Sequence, residues 1–422
     1  MTAREFKGIA SLMYRARLDL LARRSLLRRL RTIHSAPLAE AHLEGHQVLL
    51  FSSNNYLDLA AHPKVAEAAI AALRRYGVGA GASRLISGTF PAHVELEERL
   101  AAFKRTEAAL VFSTGYQANL GLVQTLAEEA SIIYADRLCH GSLIDASRLC
   151  KLPLRIFRHR EVSQLRRLLE RDTRTASLIL TDGVFSMDGD LAPLPSLLAV
   201  AESSGARLVV DDAHGTGVMG RDGRGTVEHF GLKSAALIQM GTLSKALGAF
   251  GGFVAGPRDL IEYLVNGARS FIYTTALPPA MAAAASAALQ LVEAEPERRA
   301  RLWSLRERLY QGLKNLGCET LASESPILPI VVGDVGGAVR LSEYLLAHRI
   351  YAPAIRPPTV PPSSSRVRLS VTAGHTPAHI DQLLDALSTV RKTDGVLWER
   401  LTHPISAARE SGPEMHSPSL GG

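Results

Sequence analysis

Residues 206–217 read ARLVVDDAHGTG. The run Leu208–Val210 is short and apolar, the pattern of a buried strand. Asp211, Asp212 and His214 follow at its end. A carboxylate leaving a buried strand must find a cation or a strong hydrogen-bond donor. One such aspartate could be a cap or turn residue. Two of them with a histidine, just before Gly215-Thr216-Gly217, mark a candidate site. No partner motif such as HExxH accompanies DDAH, so no metal is expected.

Runs of the same kind lie on either side. AALVF (108–112), SIIYA (131–135), LRIF (154–157), ASLILTD (176–182), ALIQM (236–240) and GGFVAG (251–256) all read as strands. Amphipathic stretches such as Val162–Arg171 and Leu194–Ser203 separate several of them. This alternation predicts an α/β fold with a mainly parallel sheet covered by helices. Functional residues of such sheets gather at the carboxyl ends of the strands. After Pro278 the texture changes to long helical stretches (280–293, 295–316), a strand (327–332), a helix (336–347), a Pro-rich loop (353–362), a strand (366–371) and a last helix (377–391). That order predicts a smaller α+β domain. The expected division is 1–55 as an N-terminal segment beside the small domain, 56–280 as the large domain, 281–393 as the small domain, and 394–422 as a flexible tail.

Composition bounds the function. The chain has 422 residues, 46% hydrophobic and 21% charged, with a net charge of +7. These are ordinary globular values. No apolar run is long enough to cross a bilayer. The Arg-rich N-terminus lacks the apolar core of a secretory signal. Glu5, Asp19 and helically spaced apolar residues favour an amphipathic helix there over a transit peptide. Arg23, Arg24, Arg28, Arg29 and Arg31 cluster in this region and suit an acidic substrate or carrier. A nucleic-acid-binding protein is the remote alternative, but no recognisable module accompanies the basic stretch. Three scattered cysteines fit a reducing, cytoplasmic setting. Gly77-Val78-Gly79-Ala80-Gly81 has the wrong spacing and context for a dinucleotide fingerprint, and no GxSxG elbow is present.

A second stretch gives the first its chemistry. TLSKALGAFGG (242–252) sets Lys245 among small and apolar residues, where an amine can lose its proton and become a nucleophile. Lys245 lies 34 residues beyond Asp211, with a single further strand between them. A lysine able to form a Schiff base and an aspartate able to pair with a protonated pyridine nitrogen are what pyridoxal phosphate requires. Ser113-Thr114-Gly115-Tyr116 follows a strand and opens a helix, a suitable phosphate cup.

With STGYQAN (113–119), DRLCHGSLIDA (136–146), TDGVFSMDGDLAPL (181–194), VDDAHGTGVMGRDGRG (210–225), TLSKALGAFGG (242–252) and AIRPPTVPPSSSRVRLSVTAGHT (354–376), the chain resembles the α-oxoamine synthases, a family of fold-type I pyridoxal-phosphate enzymes. The resemblance spans roughly residues 15–390. It implies that Lys245 holds the cofactor aldehyde and moves a proton at the substrate α-carbon. It implies that Asp211 pairs with the ring nitrogen, His214 and Ser186 approach the phenolic oxygen, and His140 stacks on the ring. Gly115, Tyr116 and Thr242 would hold the phosphate, with Thr274 or Thr275 from a second subunit, so a homodimer is implied. Arg356 would bind the amino-acid carboxylate beside Asn54, with Ser83, Thr359 and Arg17 as further substrate contacts. The implied reaction is a decarboxylating condensation of L-alanine with a pimeloyl thioester of coenzyme A or acyl carrier protein. The alternative is a sister synthase with another amino-acid and acyl pair. Arg366 and Arg368 alternate on a strand and read as structural or surface residues. Two departures stand out: PPSSSR (361–366) lacks the glycine of a PxGxxR pattern, and Asp58 stands where relatives carry glycine.

Overall fold

The computed structural model describes residues 3–172 and 176–403. A first helix, Ala3–Arg23, stops where Ser25 adopts a φ of 54° and the Leu26 N–H returns to the Leu21 carbonyl. That left-handed stop ends the helix at Arg23. Arg24, Arg28, Arg29 and Arg31 therefore lie on the irregular segment beyond it, not on a helix face as the sequence suggests. Two short strands follow, β1 (Glu40–Leu43) and β2 (His46–Leu50), paired antiparallel.

Seven strands build the central sheet: β3 (Ala108–Phe112), β4 (Ile132–Asp136), β5 (Leu154–Phe157), β6 (Ser177–Asp182), β7 (Arg207–Asp211), β8 (Leu237–Thr242) and β9 (Gly252–Gly256). Their spatial order is β3-β9-β8-β7-β6-β4-β5. Only β9 runs antiparallel to its neighbours. Strands β4, β6 and β8 are buried at every position, as expected when helices cover both faces. Each predicted strand of this sheet is present, with ends shifted by no more than two residues.

The C-terminal part carries β10 (Ile327–Gly333), β11 (Ile350–Tyr351), β12 (Ala354–Ile355) and β13 (Ser365–Ser370). Strand β13 lies between β10 and β12, while β11 adds to β2. Residues 40–50 are thus stitched to the C-terminal part by backbone hydrogen bonds. Helix Pro279–Ala294 packs on Pro63–Tyr76 and Pro91–Lys104, and its buried alanines, Ala282, Ala285 and Ala288, permit close approach. One apolar cluster runs from Leu49 through Phe253 and Leu309 to Leu401, so the large and small parts share a core.

Part of the expected flexible tail is ordered. Gly395–Thr402 is a helix capped by Asp394, whose carboxylate accepts from the Leu397 N–H at 3.0 Å. Leu397 and Leu401, four apart on one face, are fully buried, each contributing roughly 1.5–3 kcal/mol. The polar texture of the tail hid this apolar pair. Residues 404–422 lie outside the described residues.

Candidate active site

Strand alternation separates the two aspartates of VDDAH. Asp212 turns to one side and meets Lys104 Nζ at 3.0 Å, with both side chains completely buried. It also accepts from the Thr226 hydroxyl at 2.8 Å and the Thr226 N–H. Lys104 donates further to Thr216 and to the Arg224 carbonyl. This set is closed: every charge has a partner.

Asp211 turns the other way, into the crevice at the strand ends. It is 5% exposed. Its carboxylate accepts from Asn119 Nδ2 at 2.6 Å and from the Ala213 N–H at 3.0 Å. Among the described residues no lysine, arginine or histidine forms an ion pair with it. Lys245 faces it electrostatically, with Asp182 and Arg368 also acting on the amine. Burial drives the Lys245 amine down to about 8, helped by Arg368 and opposed by Asp211. Burial and the Asp211 charge push the Asp182 carboxyl well above the usual range.

His140 and His214 complete the ring of groups. His140 caps helix Gly141–Leu149, and its N–H donates to Asp182 at 2.9 Å. Burial, then the Lys245 charge, hold His140 below the ordinary imidazole value. His214 is pushed further down by burial, Lys245 and Arg368. Its Nδ1 lies 2.7 Å from the Tyr56 hydroxyl. Burial raises that phenol to about 12, so it stays protonated.

The turn after β8 is built on glycine. Gly248 (φ 61°) and Gly251 (φ 126°) occupy positive-φ positions. Thr242 Oγ1 and Ser244 Oγ both donate to the Gly251 carbonyl. A Cβ on Gly252 would stand 2.6 Å from Gly115 Cα, so glycine there lets the start of helix Gly115–Leu126 lie against β9. Thr114 caps that helix through the Gln117 N–H at 3.1 Å. A Cβ on Gly115 would lie 3.5 Å from Thr242 Oγ1, so these two expected phosphate contacts are neighbours. Tyr116 is exposed, and its hydroxyl donates to Asp145 at 2.7 Å.

The remaining expected residues divide. Asn54 joins the crevice, accepting from Arg368 Nη2 at 3.0 Å. Ser186 sits half-buried in the loop after β6. Thr274 and Thr275 lie beside the Ser113–Tyr116 loop of their own chain, with Ser113 Oγ donating to the Thr275 carbonyl at 3.2 Å. Arg356, Thr359, Ser83 and Arg17 make no hydrogen bond or ion pair with the crevice groups among the described residues. The Arg356 guanidinium instead donates to the Ser25 carbonyl, beside Arg28.

Arg366 and Arg368 are not surface residues: they are 4% and 9% exposed. Arg366 pairs with Asp188. Arg368 reaches Asn54 and Tyr56, has no acidic partner among the described residues, and leaves its buried Nε without a hydrogen bond. A lone strand of alternating arginines looks alike in sequence whether it faces water or a crevice. Tyr56, Asn119, Ser142 and Asp182 also escaped the sequence reading, although the last three lie inside motifs and Tyr56 stands two residues from Asn54.

Both departures from the resembling pattern sit where the backbone is left-handed. Asp58 has φ 58° and Ser363 has φ 63°. Glycine suits such positions; aspartate and serine occupy them with modest strain. Neither removes a group from the crevice.

A family model described as aminotransferase class I and II matches residues 46–387. The chain is 49% identical to an 8-amino-7-oxononanoate synthase of Nitrosococcus oceani, across 87% of this chain and 97% of that protein. It is 46% identical to one of Geotalea daltonii, across 90% and 98%. A serine palmitoyltransferase from S. paucimobilis, solved with a bound PLP–myriocin aldimine, is 33% identical with a TM-score of 0.86, across 94% of this chain and 100% of that one.

Proposed function

Because the chain belongs to the aminotransferase class I and II family, we propose that it is a pyridoxal-phosphate-dependent acyltransferase that makes 8-amino-7-oxononanoate from L-alanine and a pimeloyl thioester, a step of biotin synthesis. The thiol and carbon dioxide leave as the new carbon–carbon bond forms. The observation that carries the reading is Lys245, with its depressed pKa, facing a buried Asp211 that forms no ion pair among the described residues. The choice of acyl substrate follows the relatives at 46% and 49% identity rather than the palmitoyltransferase at 33%.

The residues fit the cofactor. Buried Asp211 awaits a cation, and a protonated pyridine nitrogen would be one. The glycine-lined start of helix Gly115–Leu126, beside Thr242, suits a phosphate. When bound, pyridoxal phosphate supplies an aldehyde that takes an amine and a ring that accepts electrons. Lys245 would hold the aldehyde at rest, and it would take and return the proton at alanine Cα. Its amine, pushed down to about 8, populates both the neutral and the charged form near physiological pH and can do both. Asp211 keeps the ring nitrogen protonated. His140 would cover the ring, and His214 and Ser186 would face its phenolic oxygen. Arg368, with an unpaired buried Nε, takes the alanine carboxylate, assisted by Asn54. This moves to Arg368 the role first read for Arg356, whose guanidinium lies against the basic N-terminal segment at the Ser25 carbonyl; Arg356, Thr359, Ser83 and Arg17 would then serve the acyl chain or its carrier. The basic segment Arg23–Arg31 receives an acidic carrier, coenzyme A or acyl carrier protein.

A homodimer is part of the same reading. Val78, Ile86 and Tyr273, on adjoining loops, are 82%, 81% and 72% exposed, which suits coverage by a second copy. Thr274 and Thr275 would then serve the partner's phosphate. The three cysteines are free, and the cytoplasm is the proposed compartment. No helix among the described residues is long and apolar enough to cross a membrane.

A panel of amino acids and acyl thioesters tests the proposal, with products identified by mass. Alanine with pimeloyl thioester should outperform all other pairs. Serine with a long-chain acyl thioester outperforming it would defeat the substrate assignment. A purified protein that stays colourless with pyridoxal phosphate would defeat the cofactor assignment.

A further inference from the structure

Beneath the crevice, a chain of hydrogen bonds joins Asp211 to His140 through two buried residues outside the reading so far. Asn119, 1% exposed, donates both amide hydrogens: one to Asp211 Oδ2 at 2.6 Å and one to Ser142 Oγ at 2.8 Å. Its Oδ1 has no partner among the described residues. The amide orientation is fixed by chemistry, because the reversed one would set its oxygen against the carboxylate. Ser142, 0% exposed, therefore accepts from Asn119 and has one hydrogen left to give. His140 Nδ1 lies 2.7 Å from that hydroxyl. The Ser142 backbone N–H also points at Nδ1, at 3.3 Å. Nδ1 thus receives two donors and cannot carry a proton without setting N–H against N–H.

We propose that Asn119 and Ser142 are positioning residues that hold His140 as the neutral tautomer protonated on Nε2 and tie its orientation to the ionised Asp211. The order of dependence is clear. Asp211, accepting only, orients the Asn119 amide. The amide makes the Ser142 hydroxyl a donor toward His140. The serine then sets the ring. The cofactor-nitrogen partner and the ring-stacking histidine become a single preorganised unit instead of two independent side chains. The inference rests on the roles proposed above for Asp211 and His140, but the tautomer itself does not.

The test is ring nitrogen NMR on the full-length protein with 15N-labelled histidine, with and without pyridoxal phosphate. The His140 signals are identified by their loss in His140→Gln. The native protein should show an unprotonated Nδ1 and a protonated Nε2. Ser142→Ala and Asn119→Ala should each move both shifts toward the tautomer-averaged values. Both variants should also lower kcat about tenfold, the scale of one lost hydrogen bond, with the native circular dichroism spectrum retained. If Ser142→Ala does not fold, Asn119→Ala decides alone. A protonated Nδ1 in the native protein, unchanged shifts in a folded variant, or averaged shifts with full turnover would each overturn the proposal. A protein that does not take up pyridoxal phosphate defeats the functional reading and leaves the ring-nitrogen result decisive for the tautomer.

Discussion

Asp211 and Asp212 are neighbours in sequence with opposite surroundings. On one side of β7, Asp212 is locked into Lys104 and Thr226, with no exposed side-chain surface. On the other, Asp211 is held only by neutral donors and faces Lys245. The closed side has spent its electrostatics on the fold. The open side keeps a charge in reserve for a ligand. One residue of strand register separates the two roles, because successive side chains point to opposite faces.

The contrast predicts opposite signatures for substitutions. The largest effect is expected on the open side. Lys245→Ala should lower turnover by on the order of 10³-fold or more while leaving the urea midpoint nearly unchanged. Protonation adds to this. The Lys245 amine is depressed from 10.5 to about 8, so its neutral form fills as pH rises through about 8. Pyridoxal phosphate capture by the cofactor-free protein should accelerate up to that pH and then level. The charged amine is disfavoured in the fold, so this group adds stability as pH climbs from 8 towards 10.5. A capture rate flat from pH 6 to 9 would contradict the assigned environment.

On the closed side, Asp212→Asn should strip a buried lysine of its counter-charge and cost about 3–5 kcal/mol in urea unfolding. Cofactor affinity in whatever remains folded should change little. Activity lost at unchanged stability would mean that Asp212, too, faces the ligand.

Arg368 and the basic N-terminal segment give a finer comparison. Arg368→Gln should raise the alanine KM by roughly 10- to 100-fold, the scale of a lost charge-assisted hydrogen bond. Neutralising Arg23, Arg24, Arg28 and Arg29 should raise only the thioester KM, by a few-fold, and only at low salt. Exchange of those two outcomes would move the carboxylate role from Arg368 to the basic segment. The smallest effect concerns backbone strain. Ser363→Gly should stabilise by a few tenths of a kcal/mol up to about 1 kcal/mol, if relief at φ 63° exceeds the added chain entropy. Thermal melting reads that balance directly.

Much of this was legible in the chain. The seven strands of the central sheet announce themselves as apolar runs with turn residues between them. A parallel sheet then puts the ends of β7 and β8 side by side, which is why Asp211 and Lys245 could be paired from spacing alone. STGY needed only a strand before it and a helix after it. For Arg368 the sequence left structural and surface readings open, because β13 gives no sign of which way its arginines point; the structure buries it. The helix Gly395–Thr402 was missed because two leucines in a polar stretch are weak evidence until a groove receives them. Asn119 and Ser142 were passed over because their importance lies in what they touch.

By itself, the sequence determined the strands of the central sheet and set Lys245, Asp211 and His214 at strand ends, since these follow from local pattern and parallel topology; the place of His140 came from the resemblance. Only the tertiary structure decided that Asp211 opens to the crevice while Asp212 closes on Lys104. It alone brought Arg368 to Asn54 across 314 residues and Asn119 to Asp211 across 92. The physical reason is that local pattern fixes which residues a strand end offers, whereas the packing of distant segments fixes which charges are left without partners.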